Sequence, residues 1–305
     1  MIKVFGHKAP DTDSTGSAII WAWYLNDVKG QAAEPALLGS PNTEAAFVLN
    51  RWRFETPKII SDVADDAQVI VVDTNNPAEL PANINNADIL AIIDHHKLVG
   101  GLETKGPISI TIRPLACTAT IIHNLMGDNA SRMPEAIKGL MLSCILSDTL
   151  EFRSPTTTPQ DQILAEALAT DLGLSIPNYA AEMFTAKSDV SAFSDAELLR
   201  MDSKEYAVKG IKLRVSVLET TSPQMVLDRK TSLMTAMPGV ATEDGVDHVL
   251  LFVIDILKGE ATMLIPDATS QTIAEKSFGA VVAGNTVVLP GVISRKKQII
   301  PNLKL

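Results

Sequence analysis

The feature that most constrains the fold of this chain is Asp94-His95-His96, which directly follows an apolar run at residues 89–93. A short apolar run of this kind is typical of a buried strand. Open α/β sheets place their functional side chains at the carboxyl ends of such strands. An acid followed by two imidazoles at this point therefore predicts a metal site at the edge of a sheet.

Composition narrows the class of protein further. A chain of 305 residues with 46% hydrophobic residues predicts two domains with a large core that needs no disulfides. A net charge of −10 argues against broad nucleic-acid binding, which needs a basic face. The two cysteines, Cys117 and Cys144, are far apart and form no CxxC motif, which fits a reducing cytoplasmic setting. No run is long enough to cross a membrane, and the start lacks the pattern of a signal peptide.

Short apolar runs alternate with helical patterns over residues 1–188, which predicts βαβ units and a mainly parallel sheet. The small, polar segment 189–195 is predicted to be a hinge linker, and 196–305 a smaller α/β domain. Predicted strands of the first domain are 2–5, 69–72, 89–93 and 108–112, with 37–38 in another, and predicted helices are 14–25, 134–150, 159–172 and 176–188. Predicted strands of the second domain are 211–218, 249–256, 261–265 and 287–289.

Four segments of the first domain each place an acid or a histidine at the end of an apolar element. Because the carboxyl ends of parallel strands meet at one edge of a sheet, we expect these side chains to lie together. The expected set is His7, Asp11, Asp13, Asp73, His95 and Asp148.

Four crowded carboxylates repel one another unless cations or protons neutralise them. Two divalent cations would balance their charge, and they could share one carboxylate and a bridging hydroxide. A set of imidazoles and carboxylates without cysteine favours manganese, cobalt or magnesium over structural zinc. The pattern therefore predicts a site for two metal ions.

Each residue also has an ordinary interpretation when it is taken alone. Asp11 and Asp13 are typical of turns and helix caps. Asp148 could be the buried partner of an arginine, and Asp94 could orient a neighbouring histidine. A basic run such as Arg295-Lys296-Lys297 is most often a solvated tail. The metal prediction therefore depends on the whole set.

The motifs around these residues resemble those of the DHH phosphoesterase superfamily. They are residues 7–14, 72–73, 94–96 and 147–148. In the C-terminal half, residues 202–206 and 294–298 are similar to family II inorganic pyrophosphatases, and the resemblance spans nearly the whole chain. It implies a DHH fold, with helices on both faces of the N-terminal sheet, and a smaller C-terminal domain.

The resemblance also implies a role for each residue. One metal would be held by His7, Asp11 and Asp73, and the second by Asp13, Asp73, His95 and Asp148, with Asp73 bridging. The implied substrate ligands are His96, Lys204, Arg295 and Lys296, and the implied catalytic residues are His96, Asp11 and Asp73. Many family members have histidine where this chain has Thr74, and the spacing from Asp94 to Asp148 leaves no room for the CBS pair of regulated members.

The resemblance implies hydrolysis of pyrophosphate to two orthophosphates by a metal-bridging hydroxide at a two-metal site between the domains. It further implies two manganese or cobalt ions, additional magnesium with the substrate, and a homodimer formed through the N-terminal domain. We expect neither nucleic acid nor membrane as a partner, and we expect the linker to act as a hinge.

Two alternatives share the metal site. One is a DHH-type phosphodiesterase or exopolyphosphatase that acts on short oligonucleotides or polyphosphate. Base stacking has little support, because none of the three Trp, three Tyr and eight Phe clusters near the basic motif. The other is a metal-binding regulatory protein without turnover.

Overall fold

The computed structural model describes residues 1–305, and these form two compact units, Met1–Ala186 and Lys187–Leu305. The first unit contains a six-stranded sheet and the second a five-stranded sheet. This confirms the predicted α/β class with a second, smaller domain.

The sheet of the first unit is parallel throughout, with strand order β3-β2-β1-β4-β5-β6. Its strands are β1 Ile2–Phe5, β2 Ala33–Leu37, β3 Lys58–Ile59, β4 Gln68–Val72, β5 Asp88–Asp94 and β6 Ser109–Ile112. Because β1, β4 and β5 are neighbours in this order, the segments that follow them emerge at the same edge.

Six helices complete the first unit: α1 Thr12–Trp23, α2 Thr43–Arg51, α3 Thr118–Met126, α4 Glu135–Thr149, α5 Pro159–Leu172 and α6 Ile176–Lys187. Helix α1 continues as a π-helical turn, Tyr24–Val28. Helices α1 and α4 pack closely, since a Cβ at Gly16 would lie 2.2 Å from Cys144 Sγ. The largest buried helix of this unit, α4, is therefore held directly against the helix that follows β1.

The start of α1 differs from the sequence prediction. We expected this helix to begin at residue 14, whereas it begins at Thr12 and its N-cap is Asp11, whose side chain accepts a hydrogen bond from Ser14 N. Asp and Ser both favour the N-cap, and the sequence offers several such residues in a row. The consequence is that Asp13 lies inside the first turn of the helix, where it is fully buried.

The sheet of the second unit has the order β11-β10-β9-β8-β7, with one parallel pair, β8 with β9. Its strands are β7 Ser203–Val208, β8 Ile211–Thr220, β9 His248–Asp255, β10 Glu260–Leu264 and β11 Thr286–Pro290. Its helices are α7 Asp195–Met201, α8 Pro223–Leu227, α9 Lys230–Asp244, α10 Ala268–Phe278 and the single turn α11 Ile300–Asn302.

The segment predicted as a hinge lies in the second unit, between α6 and α7. The guanidinium of Arg229 donates hydrogen bonds to Val190 O at 3.0 Å and Phe193 O at 2.9 Å, and it pairs with Asp195. These contacts hold the segment to α9, which begins directly after Arg229. Motion about this segment stays a prediction. None of the helices has the length and apolar character needed to cross a bilayer.

Candidate metal centre

The loop that follows β1 brings His7 to the edge of the sheet. A Cβ at Gly6 would lie 1.9 Å from Ser14 Oγ and 3.1 Å from Val72 O, so only glycine fits this close approach. His7 N donates to Ser14 Oγ at 3.1 Å. The imidazole Nε2 lies 3.7 Å from Asp11 Oδ2. The loop and the first turn of α1 thus present one imidazole and one carboxylate side by side.

Asp73 lies at the centre of the site. It directly follows β4, is 1% exposed, and has a positive φ of 59°, which is uncommon for a residue other than glycine. Its Oδ2 is 3.4 Å from His7 Nε2, and its Oδ1 is 3.4 Å from His95 Nε2. Thr118 Oγ1 donates to Oδ1 at 2.9 Å. The carboxylate therefore lies between the two imidazoles, with one oxygen facing each.

Asp13 is held by the N-terminus of α3. Its Oδ2 accepts from Thr118 N at 2.6 Å, and its Oδ1 accepts from Ala119 N at 3.1 Å. Oδ1 also accepts from Ser17 Oγ at 2.9 Å and from Cys117 Sγ at 3.1 Å. These four donors fix the orientation of the carboxylate. The backbone N–H groups at the helix N-terminus also favour its negative charge.

His95 and Asp148 complete the cluster. His95 Nδ1 donates to Leu115 O at 3.1 Å, which leaves Nε2 to face the carboxylates. This Nε2 lies 3.8 Å from Asp148 Oδ2, near the end of α4. Three groups have ligand atoms within 4.8 Å of one another: His7, Asp11 and Asp73; Asp73, His95 and His96; and Asp13, Cys117 and Asp148. All six predicted metal ligands thus lie in one cluster.

His96 is oriented by the buried Asp94. Asp94 Oδ1 accepts from His96 N at 3.0 Å and from His96 Nδ1 at 2.9 Å. Asn75 donates to Asp94 Oδ2 at 2.5 Å and to Lys97 O at 3.0 Å. The imidazole of His96 is 54% exposed, whereas that of His95 is 17% exposed. His96 is therefore the histidine of this pair that a molecule arriving from solvent can reach.

The protonation of the cluster follows from burial and crowding. Burial raises the pKa of Asp13 and of Asp148 above the ordinary range, and the neighbouring carboxylates raise both further. Burial opposes the charge of His7, but the carboxylates of Asp11 and Asp73 outweigh it and raise its pKa to about 10. Burial likewise opposes the charge of His95, and Asp73 and Asp13 raise its pKa to about 9.

The pKa of Asp73 shifts in the opposite direction to those of Asp13 and Asp148. Burial alone would raise its pKa, but the imidazoles of His7 and His95 outweigh burial, and the pKa falls below the ordinary value. Protons on the imidazoles therefore neutralise Asp73 when no cation does. The donor set of buried oxygens and imidazole nitrogens fits divalent cations that prefer such ligands.

The predicted phosphate ligands lie in the second unit. Arg295 begins a π-helical turn, Arg295–Ile299, and its guanidinium donates to Asp202 O and to Asp202 Oδ1, each at 2.7 Å. Lys204 lies in β7, two residues after Asp202, and its side chain is exposed, as is that of Lys296. The structure thus brings Arg295 to the start of the strand that carries Lys204.

Sequence reasoning missed three residues that support the site. Thr118 donates to Asp73, Asn75 orients Asp94, and Glu44 accepts from two hydroxyls beside the predicted ligands. Thr118 lies in the segment 117–120, which contains neither an acid nor a histidine and so gave no signal of a metal site. Asn75 follows Asp73 within a turn-like stretch. Glu44 had no signal of its own, because a glutamate in a short amphipathic helix is most often exposed.

Comparison with protein families defines the class. The N-terminal domain of the DHH family matches residues 1–146, and the DHHA2 domain matches residues 181–305. The chain is 35% identical to a Lactobacillus helveticus protein over 98% of this chain and 96% of the relative, and 36% identical to a Bacillus licheniformis protein over 99% and 97%. Both relatives are named probable manganese-dependent inorganic pyrophosphatase.

Solved structures agree with this class. A Methanococcus jannaschii crystal structure assigned to family II inorganic pyrophosphatase has a TM-score of 0.63 at 34% identity, covering 99% of this chain and 98% of that one. An exopolyphosphatase-related protein from Bacteroides fragilis, at 12% identity and a TM-score of 0.51, covers 98% of this chain and 89% of that one and shows the fold alone. The chain belongs to the manganese-dependent, family II inorganic pyrophosphatases within the DHH family.

Proposed function

We propose that this chain hydrolyses pyrophosphate to two orthophosphates. The observation that carries the proposal is the cluster around Asp73, where residues from four separate segments offer carboxylate and imidazole groups at one edge of the sheet. The full-length similarity to proteins named as inorganic pyrophosphatases supports the same reaction.

We propose two metal positions that share Asp73, with manganese or cobalt as the ions. His7, Asp11 and Asp73 would hold one ion, and Asp13, Asp73, His95 and Asp148 the other. Divalent cations held by these residues would lower the pKa of bound water towards neutrality and would balance the charge of the carboxylates. We also propose that magnesium accompanies the substrate, since a tri- or tetra-anion needs further positive charge.

The chain's own residues would then position pyrophosphate and move a proton. The hydrogen bond from His96 Nδ1 to Asp94 raises the pKa of His96 above its ordinary value, which favours the protonated ring. A protonated, half-exposed imidazole can donate to a phosphate oxygen of the leaving group. Arg295 would bind phosphate oxygens with its planar fork, and Lys204 and Lys296 would contribute point charges. Asp11 and Asp73 would act in catalysis as ligands.

The decisive experiment removes metal from the purified full chain with a chelator. Manganese, cobalt and magnesium are then added back separately, and phosphate release from pyrophosphate is measured beside cleavage of short RNA and of polyphosphate. We expect pyrophosphate hydrolysis to return with manganese or cobalt and to exceed the other two activities. Faster cleavage of RNA or polyphosphate would favour the alternative DHH activities, and metal binding without any turnover would favour a regulatory protein.

We also propose a homodimer formed through the first unit. Strand β6 lies at the edge of the sheet, so one side of its backbone has no partner strand, and Ile110 on this strand is 55% exposed. Light scattering coupled to size-exclusion chromatography would measure the mass of the particle and so test the homodimer directly.

A cytoplasmic location is proposed from the two buried, free cysteines, which fit a reducing compartment.

A further inference from the structure

Glu44 is a fully buried carboxylate that belongs to neither proposed ligand set. It is 0% exposed and lies in the first turn of α2. Its Oε2 accepts one hydrogen bond from Thr12 Oγ1 at 2.9 Å and another from Ser147 Oγ at 2.6 Å. Thr12 begins α1 and Ser147 lies near the end of α4. One carboxylate oxygen therefore connects three helices.

Both hydroxyl partners adjoin proposed metal ligands. Thr12 lies between Asp11 and Asp13, and Ser147 directly precedes Asp148. Thr12, Asp13 and Ser147 are all buried, so water cannot replace the carboxylate as an acceptor without entering the core. The Glu44 carboxylate thus links the ligand segment after β1 to the ligand segment at the end of α4.

Helix α2 is itself fixed against the loop that carries His7. Asn42 caps α2 by accepting from Ala45 N at 2.8 Å, and Asn42 N donates to Pro10 O at 3.0 Å. A Cβ at Gly39 would lie 2.5 Å from Lys8 O, so the chain before α2 packs directly on this loop. Glu44 therefore cannot move independently of the loop between β1 and α1.

A second contact between α1 and α4 does not replace this link. Cys144 Sγ lies 3.3 Å from Thr12 O, and a thiol is a weak donor. Close packing at Gly16 sets how near the two helices lie. The hydroxyl bonds to Glu44 are the polar contacts that fix Thr12 and Ser147 as neighbours of Asp11, Asp13 and Asp148.

We propose that Glu44 is a positioning residue that sets the separation of the two ligand segments and thereby the affinity for the second metal ion. The inference rests on the proposed metal function of the cluster. Groups that orient metal ligands commonly contribute about 10- to 100-fold to metal affinity. We expect Glu44→Ala to weaken manganese binding by about this factor.

The test measures manganese binding to the metal-free full chain by electron paramagnetic resonance, together with the unfolding midpoint of the metal-free protein in chelator. Glu44→Gln should recover part of the affinity, because the amide oxygen still accepts both hydroxyls. Glu135→Ala is the matched control, since Glu135 is also in the first turn of a helix, α4, but is exposed. It should bind manganese as the unmodified chain does.

Two hydroxyl variants keep the inference testable if Glu44→Ala does not fold. Thr12→Val and Ser147→Ala each remove one bond, and each should weaken manganese binding by about threefold to tenfold. In the Glu44→Gln background, both should still weaken binding. In the Glu44→Ala background, neither should weaken it further, because the acceptor is already gone.

The inference is overturned if Glu44→Ala, or both hydroxyl variants, bind manganese within about twofold of the unmodified chain. A fall in the unfolding midpoint without a loss of manganese affinity is the result that a purely structural role predicts. Failure of the proposed function looks different. In that case the unmodified chain binds manganese but releases no phosphate from pyrophosphate, and the effect of Glu44 on manganese affinity is still measured.

Discussion

At the scale of single residues, Asp73 combines an unusual backbone with an unusual side-chain environment. A non-glycine residue in the left-handed region is held there at a cost of about 1–3 kcal/mol, and such residues cluster at functional sites. The conformation turns the chain sharply at the end of β4, so that the carboxylate lies between His7 and His95. Strain at this position is thus linked directly to the placement of the shared ligand.

Replacing Asp73 with asparagine should abolish most activity without unfolding the chain. Asparagine tolerates the left-handed conformation but lacks the charge, so we expect kcat/KM for pyrophosphate to fall by about 10²-fold or more. Asp88→Asn, at the opposite end of the neighbouring strand β5, is the control. Steady-state kinetics with saturating manganese measure both. Near-normal kcat/KM in Asp73→Asn would contradict a shared catalytic ligand.

Metal binding should release protons at neutral pH. The pKa values of His7, about 10, and His95, about 9, mean that both rings are protonated at pH 7 in the metal-free chain, whereas a ligand must be neutral. We therefore expect manganese affinity to rise with pH up to about 9–10 and at least two protons to leave per chain at pH 7, with any protons on Asp13 and Asp148, whose pKa values are also raised, adding to the count.

Calorimetric titration of manganese in buffers of different ionisation enthalpy counts these protons. The stability of the metal-free fold depends on pH in the opposite direction to manganese affinity. Raised histidine pKa values stabilise the metal-free chain at low pH, and that stabilisation is lost as the pH rises through 9–10. His248→Gln, in the second unit, should leave the count unchanged. Binding without proton release would refute the assigned histidine protonation.

At the scale of elements, α4 connects the metal centre to the opposite part of the first unit. Asp148 lies near its C-terminus, and Gly139 in its first half faces the indole of Trp52, which follows α2. Trp52 Nε1 donates to Tyr179 OH at 2.8 Å and to Ser143 Oγ at 3.2 Å. Helices α2 and α4 are therefore joined at both ends, by Trp52 at one and by Glu44 at the other.

Two glycine-to-alanine substitutions in helices should have opposite effects. A Cβ at Gly139 would lie 2.2 Å from the Trp52 ring, so Gly139→Ala should destabilise the first unit by about 1–3 kcal/mol. A Cβ at Gly239 in α9 meets nothing within 4 Å, so Gly239→Ala should stabilise the second unit by about 0.5–1 kcal/mol. Chemical denaturation followed by circular dichroism measures both changes. Equal shifts of the same sign would contradict this packing.

The elements that sequence predicted best are the buried strands. Strands β4 and β5 are almost continuous runs of Val, Ile, Leu and Ala, and in a parallel sheet their ends must meet, so the central residues of the metal cluster followed directly. Strand β7 was missed because Ser203–Val208 is polar and half exposed. The left-handed backbone of Asp73 and the buried state of Glu44 depend on tertiary packing, which no local pattern records.

At the scale of the whole molecule, the two units carry different chemistry. The first holds the carboxylate and imidazole cluster, and the second holds Lys204, Arg295 and Lys296. Arg295 is ordered by Asp202 at two positions. Since a guanidinium has five N–H donors, this pairing leaves donors for a phosphate. We therefore predict that the first unit binds the metal ions and that the cations of the second unit, together with His96 of the first, bind the substrate.

Removing Arg295 should therefore affect substrate binding rather than metal binding. We expect Arg295→Ala to raise KM for pyrophosphate by about 10- to 100-fold, the usual effect of losing a charged hydrogen bond, with manganese affinity unchanged. Lys258→Ala, an exposed cation of the same unit, is the control. Kinetics and manganese titration give the two quantities. A loss of manganese affinity in Arg295→Ala with unchanged KM would contradict this prediction.

The hydrogen bonds from the N-terminus of α3 to Asp13 decide which oxygen of this carboxylate a cation can reach. A carboxylate oxygen has two lone pairs, and Oδ1 already receives three donors, from Ser17, Cys117 and Ala119. Oδ2 receives one, from Thr118 N. Oδ2 is therefore the oxygen of Asp13 with fewer protein donors, and we expect a cation to bind this oxygen rather than Oδ1. Because folding alone fixes this choice, the orientation of the carboxylate should be the same before an ion binds and after it is removed.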